Sequence, residues 1–323
     1  MTVRFEYDGL PIIKTTSGEL KGYKYDGSYT YKGIPYAHAK RWQMAELSSW
    51  DGVFDATNYG RVAPLMMQDN PKGEMKCPHM YWPQDEDCLS LNIWTKDVNK
   101  KKPVMVWIHG GGYFAGSSIE QLAYDGANIA KEDCVCVSLN HRLNILGFLD
   151  LEPFGEKYKN SANAGLDDIV KALTWIHNNI EAFGGDPDNI TIFGQSAGAF
   201  SVQTMLVSPL TRGDIAGSII MSCADINWPD PGMGQKPMET AEKQGAEFMK
   251  DAGCHSIDEL RGKSADELMA VMMKGFMKYP MGTVIDHYLL DEAVSDSYYQ
   301  GNYPDLPMMI GNTAGEWTLV FGV

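Results

Sequence analysis

No run of 18 apolar residues occurs in the chain, so a membrane-spanning helix is excluded. No C-x-x-C pair occurs either, which removes the commonest spacing of a structural zinc site. Basic residues are scarce beside acidic ones, 27 against 42, and a net charge of −15 argues against a nucleic-acid partner. Six cysteines in 323 residues are too few for a disulfide framework. Met1 to Asp8 shows no basic segment followed by an apolar one, so no signal peptide is visible. The protein is expected in the cytoplasm, with secretion left open. No internal repeat and no low-complexity linker divides the chain.

What remains is globular: 44% hydrophobic and 21% charged residues, enough for one large α/β domain over 1–323. Residues 1–60 are rich in Tyr, Gly and Thr in short alternating runs and read as an antiparallel β-meander. From residue 90 to 323, apolar strands alternate with helices, the texture of a mostly parallel sheet covered on both faces, with helical insertions. Strands are expected at 103–108, 135–139, 189–193, 217–221 and 306–310. Cys134 and Cys136 fall at the start of the second and read as small core residues. Cys77 and Cys88 flank a Pro-rich loop and could bridge under oxidising conditions. Leu166, Ile169, Val170, Leu173, Ile176 and Ile180 make an amphipathic helix that stops at Gly184-Gly185. Two more helices are expected at 238–249 and 266–273, the latter opened by a capping box from Ser264. Met269, Met272, Met273, Met277 and Met281 read as adaptable core or pocket lining.

The chemistry is carried by Gly194-Gln195-Ser196-Ala197-Gly198, which follows one strand and opens a helix. G-x-S-x-G in that context is a nucleophile elbow: the turn is too tight for side chains on either flank, and it aims helix-start amides at a developing oxyanion. His109-Gly110-Gly111-Gly112-Tyr113 follows an earlier strand. Its glycines let backbone N–H groups approach a ligand, so Gly111 and Gly112 are candidate donors alongside Ala197. His109, wedged between strand and triplet, is expected to brace the loop and not to carry protons.

Further blocks share this order: Gly33 to Ala37, Glu86 to Trp94, Asn140 to Leu143, and Ala182 to Pro187 before the elbow. Together they resemble the type-B carboxylesterases, relatives of the cholinesterases and the non-catalytic neuroligins, across nearly the whole chain. The resemblance implies an α/β-hydrolase fold, no cofactor and no metal. It places the acid of a Ser–Glu–His triad at Glu316. It also implies a buried Arg41–Glu86 ion pair with a structural role. Gln195 stands where relatives often carry Glu, and Trp82 lies off the spacing of the cholinesterase cationic-site tryptophan. Both point to a small uncharged ester as substrate.

The family's histidine follows the acid, and none of the histidines at 38, 79, 109, 141, 177, 255 and 287 does. The chain therefore reads as the N-terminal two-thirds of the fold, its C-terminal part absent and its base supplied by a complementing C-terminal segment or second chain. Alone it is expected to be inactive or very weakly active, with an unpaired strand edge. His287 is the in-chain alternative as base, while His141 is expected to pack. A neuroligin-like binding module is the rival reading. An esterase of the hormone-sensitive-lipase type would need a histidine near the chain end.

Overall fold

The computed structural model describes residues 4–65, 80, 82–223, 235–275 and 278–316. The first strands are β1 (Phe5–Glu6), β2 (Ile13–Lys14), β3 (Glu19–Lys21), β4 (Tyr23–Tyr25), β5 (Ser28–Pro35), β6 (Ala37–His38), β7 (Glu46–Leu47) and β8 (Val53–Asp55). They do not form the single antiparallel meander expected from their alternation. Strands β1, β4 and β5 enter the central sheet, β2 and β3 form a hairpin extended by β8 in parallel, and β6 pairs with β7. Alternation reports which face is buried and says nothing about which strand is the neighbour.

The larger strands are β9 (Ser90–Thr95), β10 (Lys102–Ile108), β11 (Val135–Leu139), β12 (Gly185–Gln195) and β13 (Gly217–Met221). Two-residue β14 (Lys236–Pro237) and β15 (Val284–Ile285) pair outside the sheet, and β16 (Met308–Gly311) closes the series. The central order is β1-β4-β5-β9-β11-β10-β12-β13-β16. From β11 to β16 every pairing is parallel, with β10 inserted between β11 and β12. Strand β12 is longer than expected, yet its ladder to β10 resumes only at Ile190; Pro187, which has no N–H to donate, falls in the gap. Strand β16 begins two residues late because Leu306 is followed by Pro307, whose carbonyl accepts from Ser218 N–H at 3.0 Å. Among the described residues β16 pairs with β13 alone, and Met309 and Ile310 are 65% and 53% exposed.

The helices are α1 (Ala127–Ala130), α2 (Asn144–Phe148), α3 (Ala164–Asn179), α4 (Ala197–Val207), α5 (Met238–Asp251), α6 (Ile257–Gly262), α7 (Ala265–Lys274) and α8 (Val294–Gln300). The apolar stripe of α3 packs into the main core with the inner strands. Its far end is tied to the N-terminal hairpin: Trp175 Nε1–H donates to Ser17 Oγ at 2.8 Å, and Asn179 Oδ1 accepts from Thr16 N–H. Helix α4 is buried nearly all round, as a helix beneath the site must be. Helix α7 starts with the expected capping box, Ser264 with Glu267. A second core joins α5, α6 and α7 to α2 and Trp42. Met269 and Met272 are buried in it, Met281 packs against both cores, Met273 is half exposed, and Met277 lies outside the described residues. Cys88, Cys134 and Cys136 are buried free thiols, and Cys77 lies outside the described residues.

Arg142, just past β11, is a buried cation, 4% exposed. It meets Asp168 of α3 in a bidentate pair, Nε–Oδ2 at 2.8 Å and the second guanidine nitrogen to Oδ1 at 2.6 Å. Asp167 next door is buried with less support. Its Oδ1 accepts from Tyr288 O–H at 3.2 Å, Lys171 Nζ stands 3.9 Å away, and Oδ2 has no hydrogen-bond partner. Burial is the main cause that raises its pKa to about 6, above the ordinary aspartate value. A carboxyl raised on folding costs stability once it ionises, so the loss grows from about pH 4 and is complete above about pH 6. Asp167→Asn keeps an acceptor for Tyr288 and removes the charge. The variant is expected to melt higher than the parent at pH 8, with the gap closing at pH 4; equal melting temperatures at both pH values would contradict this.

Candidate active site

Strand β12 ends at Gln195 and α4 starts at Ala197, so Ser196 alone makes the turn. Its backbone sits at φ 56°, ψ −126°, a conformation that non-glycine residues rarely adopt. Two neighbours hold it there: Ser196 N–H donates to Met221 O on β13 at 3.0 Å, and Phe200 N–H donates to Ser196 O at 3.1 Å. A Cβ on Gly194 would strike the backbone of Gly198. A Cβ on Gly198 would strike Ile108 O and His109 O at the end of β10. The second glycine is thus required by the neighbouring strand as well as by the turn.

The glycine loop lies directly against this serine. A Cβ on Gly110 would stand 3.2 Å from Ser196 Cβ. Gly111 and Gly112 follow at φ 114° and 61°, and Gly111 O accepts the N–H groups of Phe114 and Ala115. Among the described residues, no acceptor takes the N–H of Gly111, Gly112 or Ala197. Ala197 adjoins the serine in the chain, and Gly111 and Gly112 follow the glycine that packs against it.

His109 Nδ1–H donates to Gly110 O at 2.8 Å, which fixes its tautomer, and the ring stacks on His141 at 4.9 Å. His141 Nδ1–H in turn donates to Arg142 O at 2.9 Å. Burial first, and His141 second, push the His109 pKa down to about 3; burial pushes His141 down to about 4. Both rings are neutral braces at neutral pH, far from the value a general base needs. His287 is exposed at φ 55°, with its N–H donating to Leu290 O, on a loop latched to Asn163 through Asp286. Among the described residues no side chain hydrogen-bonds Ser196 Oγ; His79 lies outside them.

Glu316 follows β16, two strands from the serine. Its Oε1 accepts from Thr313 N–H at 2.5 Å and Thr313 O–H at 3.0 Å, and the group is exposed. The Thr313 amide, then the Ser222 hydroxyl, hold its carboxyl below the ordinary glutamate range. Ser222 had no signal in the chain beyond ending a strand. It sits at φ 54°, its N–H donates to Gly311 O at 2.8 Å, and the residue before it accepts from Ser196. It thus bridges the serine's strand to the glutamate's loop.

Arg41 Nε donates to Glu86 Oε2 at 2.7 Å in a bidentate pair, and its remaining nitrogen reaches Arg261 O and Lys263 O. The expected buried pair is part-buried instead, Glu86 keeping 32% of its side chain exposed, because it pins the helical insertion at the surface of α6. Trp82 packs edge-on against Tyr59 at 5.7 Å.

A parallel sheet with β10 between β11 and β12, and a strained serine where β12 turns into a buried helix, define an α/β-hydrolase. The chain belongs to the carboxylesterase family, whose model matches residues 9–322. It is 34% identical to the para-nitrobenzyl esterase of Bacillus subtilis, covering 96% of this chain and 64% of that protein. It is also 34% identical to the phenmedipham hydrolase of Pseudarthrobacter oxydans, covering 96% and 62%. Among solved structures, an esterase of Clostridium hathewayi described as hydrolysing aliphatic aromatic polyesters superposes with a TM-score of 0.83. That match has 41% identity and covers 96% of this chain and 64% of the other. The chain thus spans a little under two thirds of the length of these relatives.

Proposed function

We propose that the protein is a carboxylic-ester hydrolase that works through an acyl-serine intermediate on Ser196. The observation that carries this reading is the strained backbone of Ser196 between β12 and α4, set directly against the glycine loop. Ser196 Oγ would attack the ester carbonyl carbon and the C=O π pair would move to oxygen. The Gly111, Gly112 and Ala197 N–H groups would hold that oxyanion, a term worth about 10²–10³ in rate per donor. The C–O bond to the alcohol then breaks, the alcohol leaves with the proton taken from Ser196, and water releases the acid by the same route. Glu316, ionised and tethered by Thr313 and Ser222, is suited to orient and stabilise a protonated imidazole.

Among the described histidines, His109 and His141 are buried braces and His38, His255 and His287 are exposed, which supports a base from outside the described residues, such as a complementing C-terminal segment. Gln195 beside the serine removes a carboxylate from the acyl site and supports a small uncharged ester over a cationic one. A non-catalytic binder would have no use for a strained serine set among free donors.

Hydrolysis of p-nitrophenyl butyrate by the chain alone, and with the C-terminal third of a relative added in trans, tests the reading. Turnover and fluorophosphonate labelling of Ser196 are expected only with the added segment. Full turnover by the chain alone, lost in His287→Ala, would overturn the external base. No turnover in either form would overturn the esterase reading.

A further inference from the structure

Tyr113 ends the glycine loop at φ 62°, a left-handed backbone that a bulky residue holds only when its surroundings force it. Three contacts do so. Its carbonyl accepts from Asn144 N–H at 2.6 Å, and its ring packs on Phe148 at 4.7 Å, both residues of α2. The third contact leads elsewhere: its hydroxyl lies 3.2 Å from Ser201 Oγ, on the helix that begins at the elbow. Ser201 Oγ also lies 3.1 Å from Ala197 O. A serine hydroxyl has one proton and two lone pairs, so it can give that proton to Ala197 O while accepting the phenol's. Tyr113 is 5% exposed and Ser201 fully buried, so water does not compete for either group.

The two sets of free amides come from different parts of the chain. Gly111 and Gly112 belong to the loop after β10, and Ala197 to the helix after β12. We infer that the Tyr113–Ser201 hydroxyl pair fixes the spacing between these two donor sets, making Tyr113 a positioning residue for the oxyanion. The link is short: Tyr113 adjoins Gly112, and Ser201 holds the carbonyl of Ala197 itself. The ring and backbone contacts keep the loop folded, whereas the hydroxyl alone reaches the elbow helix. This inference rests on the esterase reading.

The test is Tyr113→Phe, which keeps the ring on Phe148, together with Ser201→Ala and the double variant, in whichever form of the protein hydrolyses p-nitrophenyl butyrate. Displacing preorganised donors by a fraction of an ångström lowers kcat more than binding, so kcat is expected to fall about 10- to 100-fold in Tyr113→Phe. KM should stay within about twofold, since ground-state binding does not use these donors. The double variant should be no worse than the single ones, because both remove one contact. An unchanged kcat, a loss confined to KM, or additive losses would overturn the inference while leaving the esterase reading intact. A parent protein without turnover would overturn both.

Discussion

Ser196→Ala is expected to remove ester hydrolysis to near background, a fall in kcat of up to about 10⁶-fold where a serine nucleophile acts with its base. Labelling by a fluorophosphonate should vanish with it. The magnitude follows from the geometry of the turn. At φ 56° and ψ −126° the backbone pays for exposing a single hydroxyl, and the half-turn of α4 behind it contributes the Ala197 donor. Alanine fits the same backbone as serine, so the fold should survive and the melting temperature should be almost unchanged. The variant therefore separates chemistry from architecture. A residual rate within about tenfold of the parent would mean that Ser196 is not the nucleophile. Whatever catalysis remains over water would come from the amides of Gly111, Gly112 and Ala197, which the substitution leaves in place.

Asp168→Ala is expected to produce the largest loss of stability, about 3–5 kcal/mol, because it strands the buried Arg142 guanidinium without its anion. Arg142 would keep only neutral acceptors, Gln43 O at 2.7 Å and Ala164 O at 3.3 Å. Both side chains are buried, Asp168 completely, so bulk solvent does not screen the stranded charge. Urea unfolding followed by circular dichroism would measure the loss. Replacing both partners with apolar residues of similar volume, Arg142→Met with Asp168→Leu, should recover a substantial part, since no orphan charge is left. A loss below about 1 kcal/mol for the single variant would show that the pair contributes like a surface one. Activity should fall as well, through a defined route. Arg142 O holds the His141 ring, His141 stacks on His109, and His109 braces the glycine loop through Gly110 O.

Much of this was legible in the chain. The apolar runs at 103–108, 135–139 and 217–221 fall on β10, β11 and β13 to within a residue, because a strand buried on both faces needs uninterrupted apolar side chains. The stripe from Leu166 to Ile180 marks α3, and Ser264 marks the start of α7, since caps and helical periods are local properties. The tight turn at Ser196 and the glycine triplet were readable for the same reason: each turn's geometry demands glycine at fixed offsets. The N-terminal strands were harder. Two- and three-residue strands carry too little pattern to name their partners, and β8 pairs with β3 in parallel where an antiparallel neighbour was expected.

The residue types and spacings were sufficient for a serine at a strand–helix turn, a glycine loop that could donate to it, and a sheet of the hydrolase type. They could not show that Gly198 is needed against the end of β10, or that Ser222 bridges Ser196 to Glu316. Nor could they show that Tyr113 reaches Ser201, or that His109 and His141 stack as neutral braces. Each of those contacts joins residues on different strands or helices. They exist only once β10 is inserted between β11 and β12 and the ends of β10, β12 and β13 meet. Local pattern encodes the turn that each strand makes. Proximity between turns depends on strand order, which the packed sheet sets by burying every apolar face at once.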